Sequence, residues 1–228
     1  MPITSDASPR KLGRRADDIR GRELLLDLAT ELFSERGIAS TTIAQIATAA
    51  HVTSAMVHYW FDTRDKLIDA VAEERVVPFI AQIWDPASLE QDDADVVVDG
   101  LLTRLLEVTR QAPWLPSLWL REIIQEGGEL RQRVLKRIPR EQNIAFHKRI
   151  AQAQAQGEVN PDIWPEVIFL SILGLVMLPH ANSRMWSRMN PNAAFDRQRL
   201  ERHIRSLLFN GLAGNARGRS TPPPKERP

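Results

Sequence analysis

Cysteine is absent from this chain of 228 residues, which excludes disulfides and thiolate metal sites and is typical of a protein in a reducing cytoplasm. The basic residues near the N-terminus are followed by no apolar segment, so the sequence predicts no secretory signal. The most hydrophobic stretch, residues 163–179, contains Glu166 and Ser171 and falls short of a membrane span. We therefore expect a cytoplasmic protein with no membrane partner, in which this stretch forms a buried helix.

Patterns typical of strands and of enzymes are also missing. No alternation of apolar and polar residues, no Asn-Gly hairpin signal and no internal repeat is evident, whereas apolar residues recur at helical spacing. The sequence contains no phosphate-binding loop, nucleophile elbow, HExxH motif or paired Glu-x-x-His motif. It therefore predicts an all-α protein with no catalytic residue, no cofactor and no metal site.

Charge of one sign is not in large excess, because the formal net charge is only +1. A nucleic-acid-binding protein with so little net charge needs a local cluster of basic residues. Such a cluster lies around the start of the first predicted helix and consists of Arg10, Lys11, Arg14, Arg15, Arg20 and Arg22. Two interpretations stay open: an arm that lies along phosphates or enters a minor groove, or a solvated, disordered tail.

Residues 42–67 contain two short helical patterns joined by a tight polar break, and a third helix signal follows at once. Thr42 supplies a capping hydroxyl for the first pattern, whose apolar positions are Ile43, Ile46, Ala47 and Ala50. Thr53 can cap the second pattern, whose predicted apolar side consists of Ala55, Met56, Val57 and Trp60. Thr63 is the expected cap of the third helix, which begins at Arg64.

Helices of about two turns do not persist alone in water, so these must pack on a longer partner. The preceding segment provides one before Gly37 closes it, and its predicted core residues are Leu24, Leu25, Leu28, Ala29, Leu32 and Phe33. The sequence therefore predicts a three-helix unit of helix-turn-helix type. The side chains of its second short helix that are predicted to face outward are Thr53, Ser54, His58 and Tyr59. Small donors and amphipathic rings of this kind suit phosphates and base edges.

The same segment resembles the DNA-binding domain of the TetR family of one-component transcriptional repressors, over about residues 17–70. The positions that carry the resemblance are Thr42-Ile43, Ile46-Ala47, Val52-Thr53, His58-Tyr59-Trp60-Phe61, Arg64 and Leu67. The chain has His51 at a turn where the family often has Gly, which predicts either slight backbone strain or a shifted turn, and it has His58 where the family often has Tyr. It has Ala44 where some members place a base-reading Arg, so the operator sequence cannot be taken from a relative.

The resemblance implies a homodimer that sets two recognition helices one DNA turn apart on a near-palindromic double-stranded operator. The residues expected to bind DNA are Thr42, Thr53, Ser54, His58, Tyr59, Thr63 and Arg64. Thr53 and Ser54 would contact phosphate or base edges, and the rings of His58 and Tyr59 would pack on the DNA backbone. Arg64, together with the N-terminus of its helix, would hold an adjacent phosphate.

The predicted organisation has four parts: a basic, disordered arm (1–16), a helix-turn-helix domain (17–63), a helical effector-binding and dimerisation domain (64–213) and a disordered tail (214–228). Pro78 predicts a kink or an end in the linking helix, and Pro139 a kink or a division within residues 129–156. Other helices are expected over residues 96–112 and 115–126, from Asn160 onward, and over residues 192–212, with Met185 and Trp186 in the loop before the last.

Two sets of mostly apolar residues in the larger domain suggest different roles. Candidates for contact with a small apolar or aromatic effector, on helices that surround a pocket in the family, are Trp114, Leu118, Trp119, Glu122, Ile123, Phe146, His147, Phe169, Leu173 and Met177. Candidates for the interface with a second copy are Ile168, Ile172, Leu175, Leu200, Ile204, Leu207 and Leu208. Both sets are also explained as the core of one chain.

Two other functions stay open beside a ligand-responsive repressor. Glu122 and Glu126, with His147, are conceivable in a carboxylate-dependent enzyme, although a solvated helix edge beside Arg121 and Arg131 explains the two glutamates more simply. A helical ligand-binding or scaffolding protein without a regulatory role is the other alternative. DNA binding distinguishes it from a regulator.

Overall fold

The structure is a computed structural model that describes residues 10–84 and 93–213, with side chains from residue 20 onward. These ranges contain helices, turns and one isolated bridge between Val159 and Ala213, and no strand. The all-α prediction is therefore confirmed. Residues 1–9 of the predicted arm and the predicted tail at 214–228 lie outside the described residues, whereas residues 10–16, predicted to be disordered, are helical.

Fourteen helical elements, two of which are π-helical turns, follow one another along the described ranges. In chain order they are α1 (Arg10–Arg36), α2 (Ile43–Ala49), α3 (Ser54–Phe61), α4 (Arg64–Val71), π1 (Ala72–Val76), α5 (Val77–Ile83), α6 (Ala94–Gln111), α7 (Leu115–Leu118), π2 (Trp119–Ile124), α8 (Arg131–Leu135), α9 (Arg140–Ala155), α10 (Pro165–Ala181), α11 (Ser183–Met189) and α12 (Arg197–Leu212).

The chain divides into two compact units. Unit 1 consists of Met1–Phe79 and Ser117–Arg137, and unit 2 of Ile80–Pro116 and Ile138–Pro228. This division differs from the predicted boundary at residue 64. Residues 117–137, expected in the larger domain, belong to unit 1, and the polar contacts described below join them to α4, to π1 and to the turn after α1.

The core of unit 1 is built on α1, which ends where Gly37 adopts a φ of 86°, a left-handed conformation that suits glycine. The fully buried side chains of α1 include Leu25, Leu26 and Phe33, and Ile38 lies buried just after the helix. Leu24, which was predicted to brace the unit, is 54% exposed, so that prediction is wrong. The buried face is centred on Leu26 instead, so it is rotated about the helix axis relative to the predicted face. Consecutive leucines at positions 24–26 do not show which of them faces the core.

The linking helix continues past Pro78, which occupies the second position of α5 directly after π1. An end at Pro78 is therefore not observed, and the helical path extends to Ile83. Pro139, by contrast, divides its tract as predicted, because α8 ends at Leu135 and α9 begins after Pro139. The helix expected over residues 115–126 consists of α7 and π2.

In unit 2, α10 packs against α6, α9 and α12. It begins at Pro165 rather than at Asn160, and only one of its sides is buried, because Leu170 and Leu178 are each more than half exposed. A separate helix, α11, was not predicted, and it carries the residues Met185 and Trp186 that were expected in a loop. The last helix begins at Arg197. In the described ranges no single helix has both the length and the apolarity needed to cross a bilayer. Helices α10 and α11 together have that length and apolarity, but a bend of 60° separates them.

Candidate nucleic-acid interface

Helix α2 is capped as its sequence predicts. The hydroxyl of Thr42 accepts a hydrogen bond from the amide of Gln45 (3.3 Å), and the Gln45 side chain accepts one from the amide of Thr42 (2.9 Å). This reciprocal capping box satisfies two amides that a helix start leaves without a partner. Ile46 and Ala47 are buried, so the helix packs through the predicted side.

The turn between α2 and α3 carries the predicted strain. His51 has a φ of 55°, in the left-handed region that favours glycine. The next helix starts cleanly, because the hydroxyl of Thr53 accepts a hydrogen bond from the amide of Met56 (3.3 Å). The tight polar break that the sequence predicts is therefore a short turn, which connects the end of α2 to the capped start of α3.

Helix α3 is anchored by Val57 and Phe61, which are 1% and 4% exposed. Ala55 and Met56 were predicted to supply the apolar side, and both are exposed, so that part of the prediction is wrong. The core is reached by positions 57 and 61, one turn apart, with Trp60 half-buried beside them. The predicted outward residues are all exposed: Thr53, Ser54, His58 and Tyr59, with Tyr59 at 72%.

The indole ring of Trp60 on α3 packs closely against Gly21 on α1. A side-chain carbon built on Gly21 would lie 2.9 Å from the indole ring of Trp60, which is closer than real carbon contacts allow. Next to it, the guanidinium of Arg22 lies 4.9 Å from the ring centre of Phe61 and binds Glu74 at 2.6 Å. Arg22 therefore belongs to the packing of unit 1, although it was counted with the basic arm.

The end of α3 is shaped by Asp62, which has a φ of 60°. Its carbonyl accepts a hydrogen bond from Nδ1 of His58 (2.9 Å), and its carboxylate binds the Lys66 ammonium at 2.6 Å. The hydrogen bond from Lys66 lowers the pKa of Asp62, and the same contact raises the pKa of Lys66. The exposed His58 side chain is thus held through Nδ1 by its own helix end.

Thr63 caps α4 as predicted, because its hydroxyl accepts a hydrogen bond from the amide of Lys66 (3.2 Å). Arg64, expected to hold a phosphate, has two protein partners. Its guanidinium donates to the carboxylate of Glu129 (3.1 and 3.3 Å) and to the carbonyl of Ile38 (2.6 Å). The phosphate role of Arg64 stays a prediction, and these partners compete with it.

Glu122 makes the contact that sequence reasoning missed. Its side chain is 6% exposed, and its two oxygens accept hydrogen bonds from the amides of Ile38 (2.9 Å) and Glu129 (3.2 Å). We call these three residues the Glu122 clasp. The interpretation of Glu122 as a solvated helix edge is therefore wrong, although it holds for the exposed Glu126. A carboxylate whose oxygens already bind two main-chain amides is also a poor anchor for an effector.

An ion-pair ladder joins α4 and π1 to the segment around α8. Arg133 binds Asp69 (2.5 Å) and Asp65 (3.3 Å), and Arg137 binds Glu73 (2.7 Å). The acids are four residues apart, and so are the two arginines, which places each set on one helix side. This spacing was a readable sequence signal. Together with the Glu122 clasp, it explains why residues 117–137 belong to unit 1.

The predicted effector contacts are distributed over both units, and each unit is described separately. In unit 1, Leu118, Trp119 and Ile123 are buried, and the indole Nε1 of Trp119 is buried with no hydrogen-bond partner among the described residues. In unit 2, the ring centroids of Phe146 and Phe169 lie 6.2 and 4.6 Å from the ring centroid of Trp84. Trp84 was not predicted as part of this cluster.

Four other predicted effector residues lie in unit 2. Leu173 and Met177 are buried on α10, and Trp114 is half-buried just before α7. His147 lies beside Phe146 on α9, and its Nε2 is buried without a hydrogen-bond partner in the part of the chain that the structure describes. Unit 2 therefore has an aromatic cluster with one unsatisfied imidazole nitrogen near it.

The predicted dimer residues are mostly core. Ile168, Ile172, Ile204 and Leu208 are buried within one chain, Leu175 and Leu200 are half-buried, and Leu207 is 50% exposed. The first four are therefore not available to a partner, which corrects the prediction for them. The exposed apolar side of the two helices consists instead of Leu170, Gly174 and Leu178 on α10 and Leu207 on α12.

The geometry of unit 1 defines a helix-turn-helix module: two short capped helices joined by a tight turn, packed on α1, with the outer side of α3 exposed. The family model described as bacterial regulatory proteins, tetR family, matches residues 25–71. The transcriptional repressor KstR2 of Rhodococcus jostii is 36% identical over 70 residues, which is 31% of each chain. The repressor NicS of Pseudomonas putida is 26% identical over 175 residues, covering 76% of this chain and 82% of that one.

The fold is similar to that of a solved structure over most of the chain. A crystal structure of AibR in complex with isovaleryl coenzyme A and operator DNA is 21% identical, has a TM-score of 0.65, and is matched over 83% of this chain and 98% of that one. Over residues 25–71 the chain is therefore similar to the tetR family of bacterial regulatory proteins. It spans about a third of the length of KstR2 and most of the length of NicS.

Proposed function

We propose that the protein is a sequence-specific, DNA-binding transcriptional repressor that acts in the cytoplasm. The observation that carries the proposal is the orientation of α3: Val57 and Phe61 hold it to the core, while Ser54, His58 and Tyr59 lie exposed. A helix presented in this way by a helix-turn-helix module enters the major groove of DNA. The relatives KstR2 and NicS are both repressors, which favours repression over activation.

A gel-shift experiment with an operator selected from random duplex DNA tests this function. The full-length chain should give a discrete complex whose affinity falls linearly with salt on logarithmic axes, because phosphate contacts release counterions. Tyr59→Ala, which removes a 72% exposed ring, should weaken binding about tenfold, the effect of one hydrogen bond to a charged group. Ile144→Ala, at a 51% exposed position on α9, is the matched control and should leave affinity unchanged. Failure to select any sequence would refute the function.

A small apolar or aromatic effector is proposed to release the operator. In unit 2, support comes from the Trp84, Phe146 and Phe169 cluster and from the buried Nε2 of His147, which is unsatisfied among the described residues. In unit 1, considered by itself, the buried Nε1 of Trp119 is unsatisfied among the described residues. A buried donor or acceptor without a partner costs about 1–3 kcal/mol, so a ligand that satisfies it gains affinity. The crystal structure of AibR holds isovaleryl coenzyme A together with operator DNA. Isovaleryl coenzyme A and benzoate are therefore suitable first probes of operator release.

Coupling between effector and operator is proposed to pass through the linking helix. The ion-pair ladder and the Glu122 clasp hold α4 and the turn after α1 to residues 117–137, so a displacement of that segment also displaces the helix-turn-helix module. An effector shifts the equilibrium only if it binds one arrangement better than the other. A ligand that binds tightly and leaves operator affinity unchanged would contradict this coupling.

A homodimer is proposed as the DNA-binding form, since a two-fold operator needs two copies of α3. The interface is proposed on the exposed apolar side formed by Leu170, Gly174, Leu178 and Leu207, in place of the buried residues first expected. Light scattering on the full-length protein tests it. A monomer at micromolar concentration would refute the dimer.

A further inference from the structure

The exposed side of α3 lacks the side chains that make paired hydrogen bonds to one base. Its exposed residues are Ser54, Ala55, Met56, His58 and Tyr59. In the major groove, guanine is read by Arg or Lys, and adenine by Asn or Gln, through two hydrogen bonds at once. None of these four residue types occurs in α3. Sequence discrimination by this helix must therefore use another feature of the bases.

Two apolar side chains, those of Ala55 and Met56, are exposed on α3. Successive residues of a helix are about 100° apart, so Ala55 lies opposite the anchors Val57 and Phe61, above Tyr59 by one turn. Met56 is next to Ala55 and is 40% exposed. Ala55 and Met56 are also in the first turn of the helix, the part of a recognition helix that reaches base edges.

The other exposed residues of α3 are better placed for the DNA backbone. Nδ1 of His58 already donates to the carbonyl of Asp62 at 2.9 Å, which leaves the ring only one nitrogen for another partner. Tyr59 lies in the second turn, where its hydroxyl extends from a 72% exposed ring. Neither residue supplies the two donors or acceptors that a specific base pairing uses.

Thymine is the base that an apolar surface recognises, because only thymine presents a methyl group in the major groove. We propose that Ala55 and Met56 read thymine methyl groups, and that each half of the operator has A·T pairs at the positions facing them. This inference rests on the proposed DNA-binding function and adds the chemical basis of its specificity. It also explains why two apolar residues are exposed on α3 when the core does not use them.

Deoxyuridine tests the inference directly, because it differs from thymidine only by the missing methyl group. Each thymine of the selected operator is replaced singly, and the dissociation constant of the full-length protein is measured. Burial of one methyl contributes about 0.8 kcal/mol, so we expect about a fourfold loss of affinity at one or two positions in each half-site. Thymines outside those positions should show no loss.

Two variants identify the reading side chains. Met56→Ala and Ala55→Gly should each bring the ratio of deoxyuridine to thymidine dissociation constants close to one at a single position. The ratio is insensitive to a general loss of stability, because both operators are bound by the same protein. Ile144→Ala and Ala145→Gly, at exposed positions on α9, are the matched controls and should keep the wild-type ratio.

Each outcome is decisive. Specific binding that is indifferent to deoxyuridine at every position would overturn the methyl readout and leave the regulator function standing. A wild-type ratio in both Met56→Ala and Ala55→Gly would also overturn the assignment to these residues. Recovery of no common sequence from the random pool would refute the proposed function, and the inference with it.

Discussion

Replacement of Glu122 by alanine tests how firmly residues 117–137 are attached to the DNA-binding helices. The carboxylate is 6% exposed and accepts hydrogen bonds from the amides of Ile38 at 2.9 Å and Glu129 at 3.2 Å. A hydrogen bond to a charged group contributes about 1.5–3 kcal/mol, and a buried amide without a partner costs about 1–3 kcal/mol. We therefore expect Glu122→Ala to lower the free energy of local opening at Ile38 by about 2 kcal/mol.

Amide hydrogen exchange measures this effect at the residue concerned. A change of about 2 kcal/mol corresponds to roughly thirtyfold faster exchange of the Ile38 amide. Glu122→Gln should give an intermediate rate, because its amide oxygen can accept from one main-chain amide while its NH2 group faces the other. Glu126→Ala, at an exposed position close by, is the control and should change nothing. Unchanged Ile38 exchange in Glu122→Ala would refute the reasoning.

Three further predictions concern single positions. Gly174 has no described atom within 4 Å of the site of a new side chain, so Gly174→Arg should yield a folded monomer, which light scattering would detect. His51 has a φ of 55°, so in urea denaturation His51→Val should lower the free energy of unfolding by about 1–2 kcal/mol, whereas His51→Gly should not. The hydrogen bond from Arg22 lowers the pKa of Glu74, so this contact stabilises the protein above the ordinary pKa of 4.5 and is lost as pH falls through the lowered value. Below pH 4.5, the free energy of unfolding should therefore fall less steeply with decreasing pH in Glu74→Gln than in the wild-type protein.

Local signals in the sequence predicted the start of each short helix. Thr42, Thr53 and Thr63 all cap the helices that follow them, because a cap depends on residues no more than three positions away. The strained turn at His51 was predictable for the same reason. The position of the helix-turn-helix module and the exposure of Ser54 and Tyr59 follow from these boundaries.

Contacts between distant residues were not predictable in the same way. The choice between Met56 and Phe61 as core residues of α3 depends on how α3 packs against α2 and α4, and because both residues are apolar, periodicity alone gave the wrong side. Glu122 binds an amide 84 residues away, which no local pattern encodes. The four-residue spacing of acids and arginines in the ion-pair ladder was visible, but its pairing required the fold.

The free energy of the hydrogen bonds in the Glu122 clasp is similar in size to a typical coupling free energy between an effector site and a DNA-binding site. Coupling between two sites amounts to about 1–3 kcal/mol, which is the contribution of one charged hydrogen bond. Glu122 and Trp119 lie on the same π-helical turn, so a ligand that accepts a hydrogen bond from the buried indole would act on the turn that holds Ile38. Glu122→Ala should therefore keep the affinity of whichever probe releases the operator, while that probe loses its effect on DNA. Normal release in this variant would place the coupling in the ion-pair ladder instead.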